Sequence, residues 1–118
     1  MYIFERTAST HPEFIKLVSQ LDADLKKRDG DEHEFYSQYN KVDEIKNVII
    51  CYLDELAIGC GAFKPYDAKT VEIKRMFVLA AHRGKGVAEQ IFSHLENWSG
   101  ELNYTRCILE TGKNNQKR

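Results

Sequence analysis

At 118 residues, with 42% hydrophobic and 30% charged positions, the chain has the balance of one folded domain spanning 1–118, not of a disordered tail. Seventeen Lys and Arg stand against eighteen Asp and Glu, a formal charge of -1 that excludes a nucleic-acid binder working through bulk positive charge. No apolar run approaches the roughly 20 residues that span a bilayer, and Met1-Tyr2-Ile3-Phe4-Glu5-Arg6 turns charged too soon for a signal peptide, so a cytoplasmic protein with no membrane partner is expected.

Residues 2–6 read as a short strand. Thr10-His11-Pro12-Glu13 then has the S/T-x-x-E spacing of a capping box, with proline in the first turn. Behind it Phe14, Leu17, Val18, Leu21 and Leu25 recur at helical spacing, which predicts a helix near 11–28 ended by Gly30. Residues 31–46 are highly charged, and Phe35, Tyr36 and Tyr39 give them an aromatic side; a short helix or a loop fits. His33-Glu34 resembles half a metal site, but no second ligand pair follows at suitable spacing, and no metal is expected.

From Asn47 the texture becomes β-rich. Val48 to Leu53, a turn at Asp54-Glu55 and Leu56 to Phe63 read as an antiparallel hairpin in which Gly59 and Gly61 allow close approach. A loop over 64–69 leads to a third strand, Val71 to Leu79. Its pattern shifts register: Val71 and Ile73 are odd, Met76 and Val78 even. An inserted residue near Arg75, a β-bulge, would turn both pairs to one core; a strand buried on both faces is the alternative. Val87, Ala88, Ile91, Phe92, Leu95 and Trp98 form the apolar stripe of a second helix that Gly100 should stop. Tyr104 to Glu110 close the series as a strand, and the helix before it makes that strand a parallel neighbour of 71–79. The result is an α/β mixed sheet with helices on its faces. Cys51, Cys60 and Cys107 are odd in number and lack CxxC spacing, so they read as reduced, buried thiols.

Arg83-Gly84-Lys85-Gly86-Val87-Ala88 carries the chemistry. Two glycines remove side chains where a strand gives way to a helix, and the first-turn N–H groups point outward with the positive end of the helix dipole. Arg83 and Lys85 add cationic side chains, and the whole suits a phosphate or pyrophosphate. It is not a Walker loop, because Val87 follows Gly86. Nor is it a dinucleotide fingerprint, because Glu89 fills the last glycine position.

The pattern R-x-x-G-x-A is met by Arg83, Gly86 and Ala88. Here the chain resembles the GNAT superfamily of acetyl-CoA-dependent N-acetyltransferases, back through Val71-Glu72-Ile73-Lys74-Arg75-Met76-Phe77-Val78 and forward to Cys107-Ile108-Leu109-Glu110-Thr111-Gly112. The resemblance implies a GNAT-like fold with acetyl-CoA as cosubstrate. It implies that the backbone of Arg83, Gly84, Lys85, Gly86, Val87 and Ala88 holds the CoA pyrophosphate. The backbone of Met76, Phe77 and Val78 would pair with the pantetheine arm, one N–H facing the thioester oxygen. Glu72 matches a strand glutamate of many members and is the expected general base; a solvated strand face is its plain rival. Phe35, Tyr36 and Tyr39 stand where the family places its acceptor site, or pack on the sheet. His82 reads as a loop residue. Asn114 matches an asparagine near the start of the family's next helix and joins the cofactor-binding residues.

Family members continue with that helix and two more strands, so the fold is expected to lack them, and no tyrosine matches the general-acid position. The strand at 104–110 would then be a bare edge, which predicts a homodimer or a swapped dimer. The expected activity is acetyl transfer to an amine, a small molecule or amino acid in preference to a protein, by direct attack with a general base. The alternatives are a non-catalytic remnant that binds CoA or a partner chain, and an unrelated nucleotide-phosphate binding domain.

Overall fold

The computed structural model describes residues 1–29 and 44–109, the side chains of 24–29 excepted. In chain order these form β1 (Tyr2–Thr7), α1 (Pro12–Asp29), β2 (Asn47–Leu53), β3 (Leu56–Pro65), β4 (Thr70–Val78), a 3-10 turn (Ala80–His82), α2 (Val87–Glu101) and β5 (Arg106–Leu109). The sheet runs β1-β2-β3-β4-β5. Its first three pairings are antiparallel, and β4 pairs with β5 in parallel, as the crossover through α2 requires. This is the mixed α/β sheet that the sequence predicts.

Alternation along β2 and β3 divides the core between two faces. Ile49, Ile58, Phe63, Val71 and Ile73 meet Val87, Ile91 and Leu95 of α2. Val48, Ile50, Cys60, Ala62 and Phe77 meet Phe14 and Leu17 of α1 on the other side. Both faces are covered, so β2 and β3 read as nearly continuous apolar runs. The β2–β3 turn places Asp54 at φ 53° and Glu55 at φ 74°, the paired positive angles of a tight hairpin turn.

The bulge lies where the register shift in the sequence puts it. Cys60 pairs with Phe77 and Ala62 with Lys74, so β4 advances one residue more than β3 between the two pairs. Arg75 absorbs the extra residue in the left-handed region, at φ 58°. Val71, Ile73, Met76 and Val78 consequently share the α2 face. The two glycines of β3 let that helix sit close: a Cβ on Gly61 would lie 2.8 Å from Ile91 Cγ2, and one on Gly59 3.1 Å from Ile91 Cδ1.

Two helix ends differ from expectation. The capping box does not form at Thr10; the ring of His11, one residue nearer the helix, accepts the Glu13 N–H at Nδ1 (3.1 Å). Pro12 is therefore the first helical residue, and an imidazole nitrogen does the work of a cap hydroxyl. At the other helix, Gly100 does not stop α2, which runs on to Glu101. Asn103 takes the left-handed position at φ 76°, with bonds from Asn103 N–H to Gly100 C=O and from Tyr104 N–H to Ser99 C=O, both 3.0 Å. The extra residue lets Glu101 accept two bonds of 2.8 Å from Arg6, whose guanidinium also covers the Trp98 ring at 4.9 Å. That clasp ties β1 to the last turn of α2, and the Arg6 hydrogen bond holds the Glu101 carboxyl below its usual range.

All three cysteines are free thiols; Cys51 and Cys60 are buried and Cys107 is half-buried. Among the described residues no helix is long and apolar enough to cross a membrane. β5 ends the strand order, and its outer edge has no strand partner among the described residues.

Candidate functional site

β5 pairs with β4 from Thr70 to Ile73. Beyond Ile73, which pairs with Leu109, the outer edge of β4 has no strand partner among the described residues. The direction of its polar groups follows from one bond. Leu79 N–H donates to Ile58 C=O of β3 at 2.8 Å. The Val78 carbonyl belongs to the same trans peptide, so it points the opposite way, out of the open edge. Arg83 reaches back to it: Nε–H donates to Val78 C=O at 2.6 Å, and the guanidinium lies 5.4 Å from the centre of the Phe77 ring.

The chain then turns through Ala80–His82 into the glycine loop. Gly84 and Gly86 have φ of 79° and 83°, a region open to glycine at no steric cost. Among the described residues a Cβ on either would meet nothing within 4 Å, so their packing does not demand that these two positions be bare. Gly86 caps α2 with no side-chain cap bond. The first bond of the helix ladder is Gln90 N–H to Gly86 C=O at 3.1 Å. The N–H groups of Val87, Ala88 and Glu89 precede it, at the positive end of the helix. Strand edge, loop and helix start line one cleft of about 460 Å³.

Met76, Phe77, Val78, Arg83, Gly84, Gly86, Val87 and Ala88 all line this cleft. Lys85 is exposed and is not among its lining residues. Glu72 is half-buried four residues before Met76, opposite Lys64 of β3 and beside Ile108 of β5, and is not a lining residue. Its neighbours Val71 and Ile73 face α2, so Glu72 belongs to the other face of the sheet. Phe35, Tyr36, Tyr39, Asn114 and the His33-Glu34 pair lie outside the described residues.

Two further residues reach the cleft. His82 lines it with Nδ1 buried and without a hydrogen-bond partner among the described residues. Glu89 lines it from the third position of α2, a placement that follows once Gly86 is known to be the cap. Cys60 contributes from below: its thiol donates to the Arg75 carbonyl at 3.4 Å and so braces the bulge. Burial pushes that thiol up to about 12, with the Arg75 charge offsetting part of the rise, so Cys60 is a packing group and not a nucleophile.

The Acetyltransferase (GNAT) family profile matches residues 13–118. The chain belongs to the GNAT acetyltransferase family. Among GNAT relatives it is 48% identical over 59 residues to the uncharacterised N-acetyltransferase YsnE of Bacillus subtilis (strain 168), a match spanning 50% of this chain and 38% of that protein. The chain thus aligns with well under half of that curated relative's length. A crystal structure described as an acyl-CoA N-acyltransferase from Klebsiella pneumoniae subsp. pneumoniae superposes with a TM-score of 0.75 at 25% identity, covering 96% of this chain and 73% of the other. The structure of AAC(6')-Iy with the bisubstrate analogue CoA-S-monomethyl-acetylneamine superposes with a TM-score of 0.68 at 19% identity, covering 96% and 81%. The GNAT fold assignment therefore rests on the profile, the topology and the superpositions together. No group of three or more His, Cys, Asp or Glu among the described residues is placed to hold a metal ion.

Proposed function

We propose that this chain binds acetyl-CoA in the cleft between the outer edge of β4 and the start of α2, and passes the acetyl group to a small-molecule amine by direct attack. The observation that carries the reading is the continuity of the cleft. An outward-pointing strand edge at Met76–Val78 leads straight into a bare glycine loop and three helix N–H groups. An acyl-CoA has the same sequence of demands, an amide-bearing arm that pairs like a strand followed by a pyrophosphate that needs N–H donors and positive potential. The fit is steric as well, since the space beside Gly84 and Gly86 is the space that side chains would take. The bisubstrate analogue bound by AAC(6')-Iy joins CoA to an amine-bearing small molecule, and that supports the acceptor class.

The amine must lose a proton to attack, and Glu72 is the proposed base, acting directly or through water. Support for it comes from its strand position and its half-buried setting. Thiol release from acetyl-CoA across a panel of amines, followed beside calorimetric CoA binding, tests the whole reading. Binding with turnover on at least one amine is expected; binding with none makes the chain a CoA-binding remnant. Glu72→Gln should lower kcat/KM by about 100-fold. A variant with wild-type turnover removes Glu72 from the role. The β5 edge, which has no strand partner among the described residues, is proposed to pair with a second copy of the chain. Sedimentation at tens of micromolar should show a dimer, and a clean monomer sinks that assignment.

A further inference from the structure

Glu89 carries the wrong charge for the ligand proposed for its cleft. It lines the cleft from the third position of α2 and is the acidic residue of that helix's first turn. In the free chain the placement is favourable, because the helix dipole stabilises a carboxylate beside its positive end. A phosphate seeks the same end for the same reason. The two anions cannot be kept far apart. The Glu89 N–H is among the three donors that precede the helix ladder, and the carboxylate springs from the same residue. An anion held by that N–H therefore has the carboxylate within one side-chain length. Of the loop cations, Lys85 is exposed and is not a lining residue, and Arg83 directs its Nε–H to the Val78 carbonyl. Glu89 is itself exposed, so its repulsion acts through water and is open to screening by salt.

We propose that Glu89 is a specificity-determining residue of the donor site: its carboxylate opposes phosphate at the start of α2 and so limits how far the cleft favours phosphate-bearing thioesters over phosphate-free ones. CoA carries the same phosphates after transfer as before it, so the same repulsion speeds release of the product. This inference rests on the cleft being the acyl-CoA site.

Calorimetry with acetyl-CoA and with phosphate-free S-acetylpantetheine tests it on the wild-type chain, Glu89→Gln and Glu89→Asp. Gln keeps the shape and removes the charge; Asp keeps the charge on a shorter stem. Glu89→Gln should bind acetyl-CoA about tenfold more tightly than wild type, and Glu89→Asp should stay within about threefold of it. S-acetylpantetheine should bind all three chains alike. Raising the salt from about 0.1 M to about 1 M shortens the Debye length from roughly 10 Å to roughly 3 Å and should shrink the advantage of Gln to about twofold or less. A gain that came from shape or helix packing would not follow the salt. A wild-type chain that binds acetyl-CoA, beside a Gln variant that gains nothing, overturns the role of Glu89 alone. So does a Gln variant that gains equally for both thioesters, or one that loses affinity, which would make the carboxylate a partner of the ligand. A wild-type chain that binds neither thioester overturns the acyl-CoA site and the role of Glu89 with it.

Discussion

Gly61→Val is expected to lower stability by about 3 kcal/mol or more, a large share of the roughly 5–15 kcal/mol that holds a domain folded. The reason is position. A Cβ on Gly61 would stand 2.5 Å from Met76 Sδ, 2.8 Å from Ile91 Cγ2 and 3.0 Å from Leu95 Cδ1. Met76 is half-buried and its long side chain can swing aside, but Ile91 and Leu95 are fully buried on a helix pinned at its far end by the Arg6–Glu101 clasp. The helix must therefore lift or the strand bend. Thermal unfolding should move down by more than about 10 °C, since 1 kcal/mol is worth roughly 4–8 °C in a domain near this size. A melting point within a few degrees of wild type would show that the α2–β3 contact relaxes freely. Gly59→Ala meets its nearest atoms at 3.1 Å, one of them the Phe77 carbonyl, and should cost less. Met76, the nearest of the three contacts, lines the cleft, so the stability defect and a loss of ligand affinity should appear together.

Residues that repeat along an element, or that must share a core, were readable from the sequence. The register shift from Val71 and Ile73 to Met76 and Val78 brought the bulge into view beside a strand buried on both faces; the structure decides for the bulge, with all four residues facing α2 and Arg75 absorbing it in the left-handed region. The parallel pairing of β4 and β5 follows from the helix between them. Choices made in three dimensions were not readable. Nothing in Thr10-His11-Pro12-Glu13 says that a ring nitrogen will outcompete a hydroxyl for the cap, because that depends on where the His11 ring lies beside Glu5, 3.5 Å away. Gly100 looks like a stop, yet the helix gains by running on until Glu101 reaches Arg6, 95 positions earlier in the chain. Within the site, the spacing of Arg83, Gly86 and Ala88 locates the loop but not the direction of a side chain. Arg83 reads as a loop cation, and its Nε is found on a strand carbonyl. His82 and Glu89 face the cleft for the same kind of reason, since their orientation is set by the turn before the loop and by the cap at Gly86.

Gly86→Val should do the reverse of Gly61→Val, costing the fold less and removing the ligand. Gly86 sits at φ 83°, where a β-branched residue is strained by about 1–2 kcal/mol, so the melting point should fall by roughly 4–16 °C, all of it from that strain. Among the described residues no atom lies within 4 Å of its Cβ position, so the first carbon of a valine side chain meets none of them. It clashes with the ligand. The isopropyl group would project beside the N–H groups of Val87, Ala88 and Glu89, which a pyrophosphate must approach to hydrogen-bond distance to use the helix end. Affinity for acetyl-CoA should drop by more than about 100-fold, the equivalent of two or more N–H···phosphate contacts at ~1.4 kcal/mol per tenfold. Calorimetric titration beside a thermal melt separates the two effects, and Gly86→Ala, with a single methyl, should fall between valine and wild type in both. Valine binding within threefold of wild type would mean that the phosphate does not lie against this helix end, and the acyl-CoA reading of the cleft would have to be abandoned.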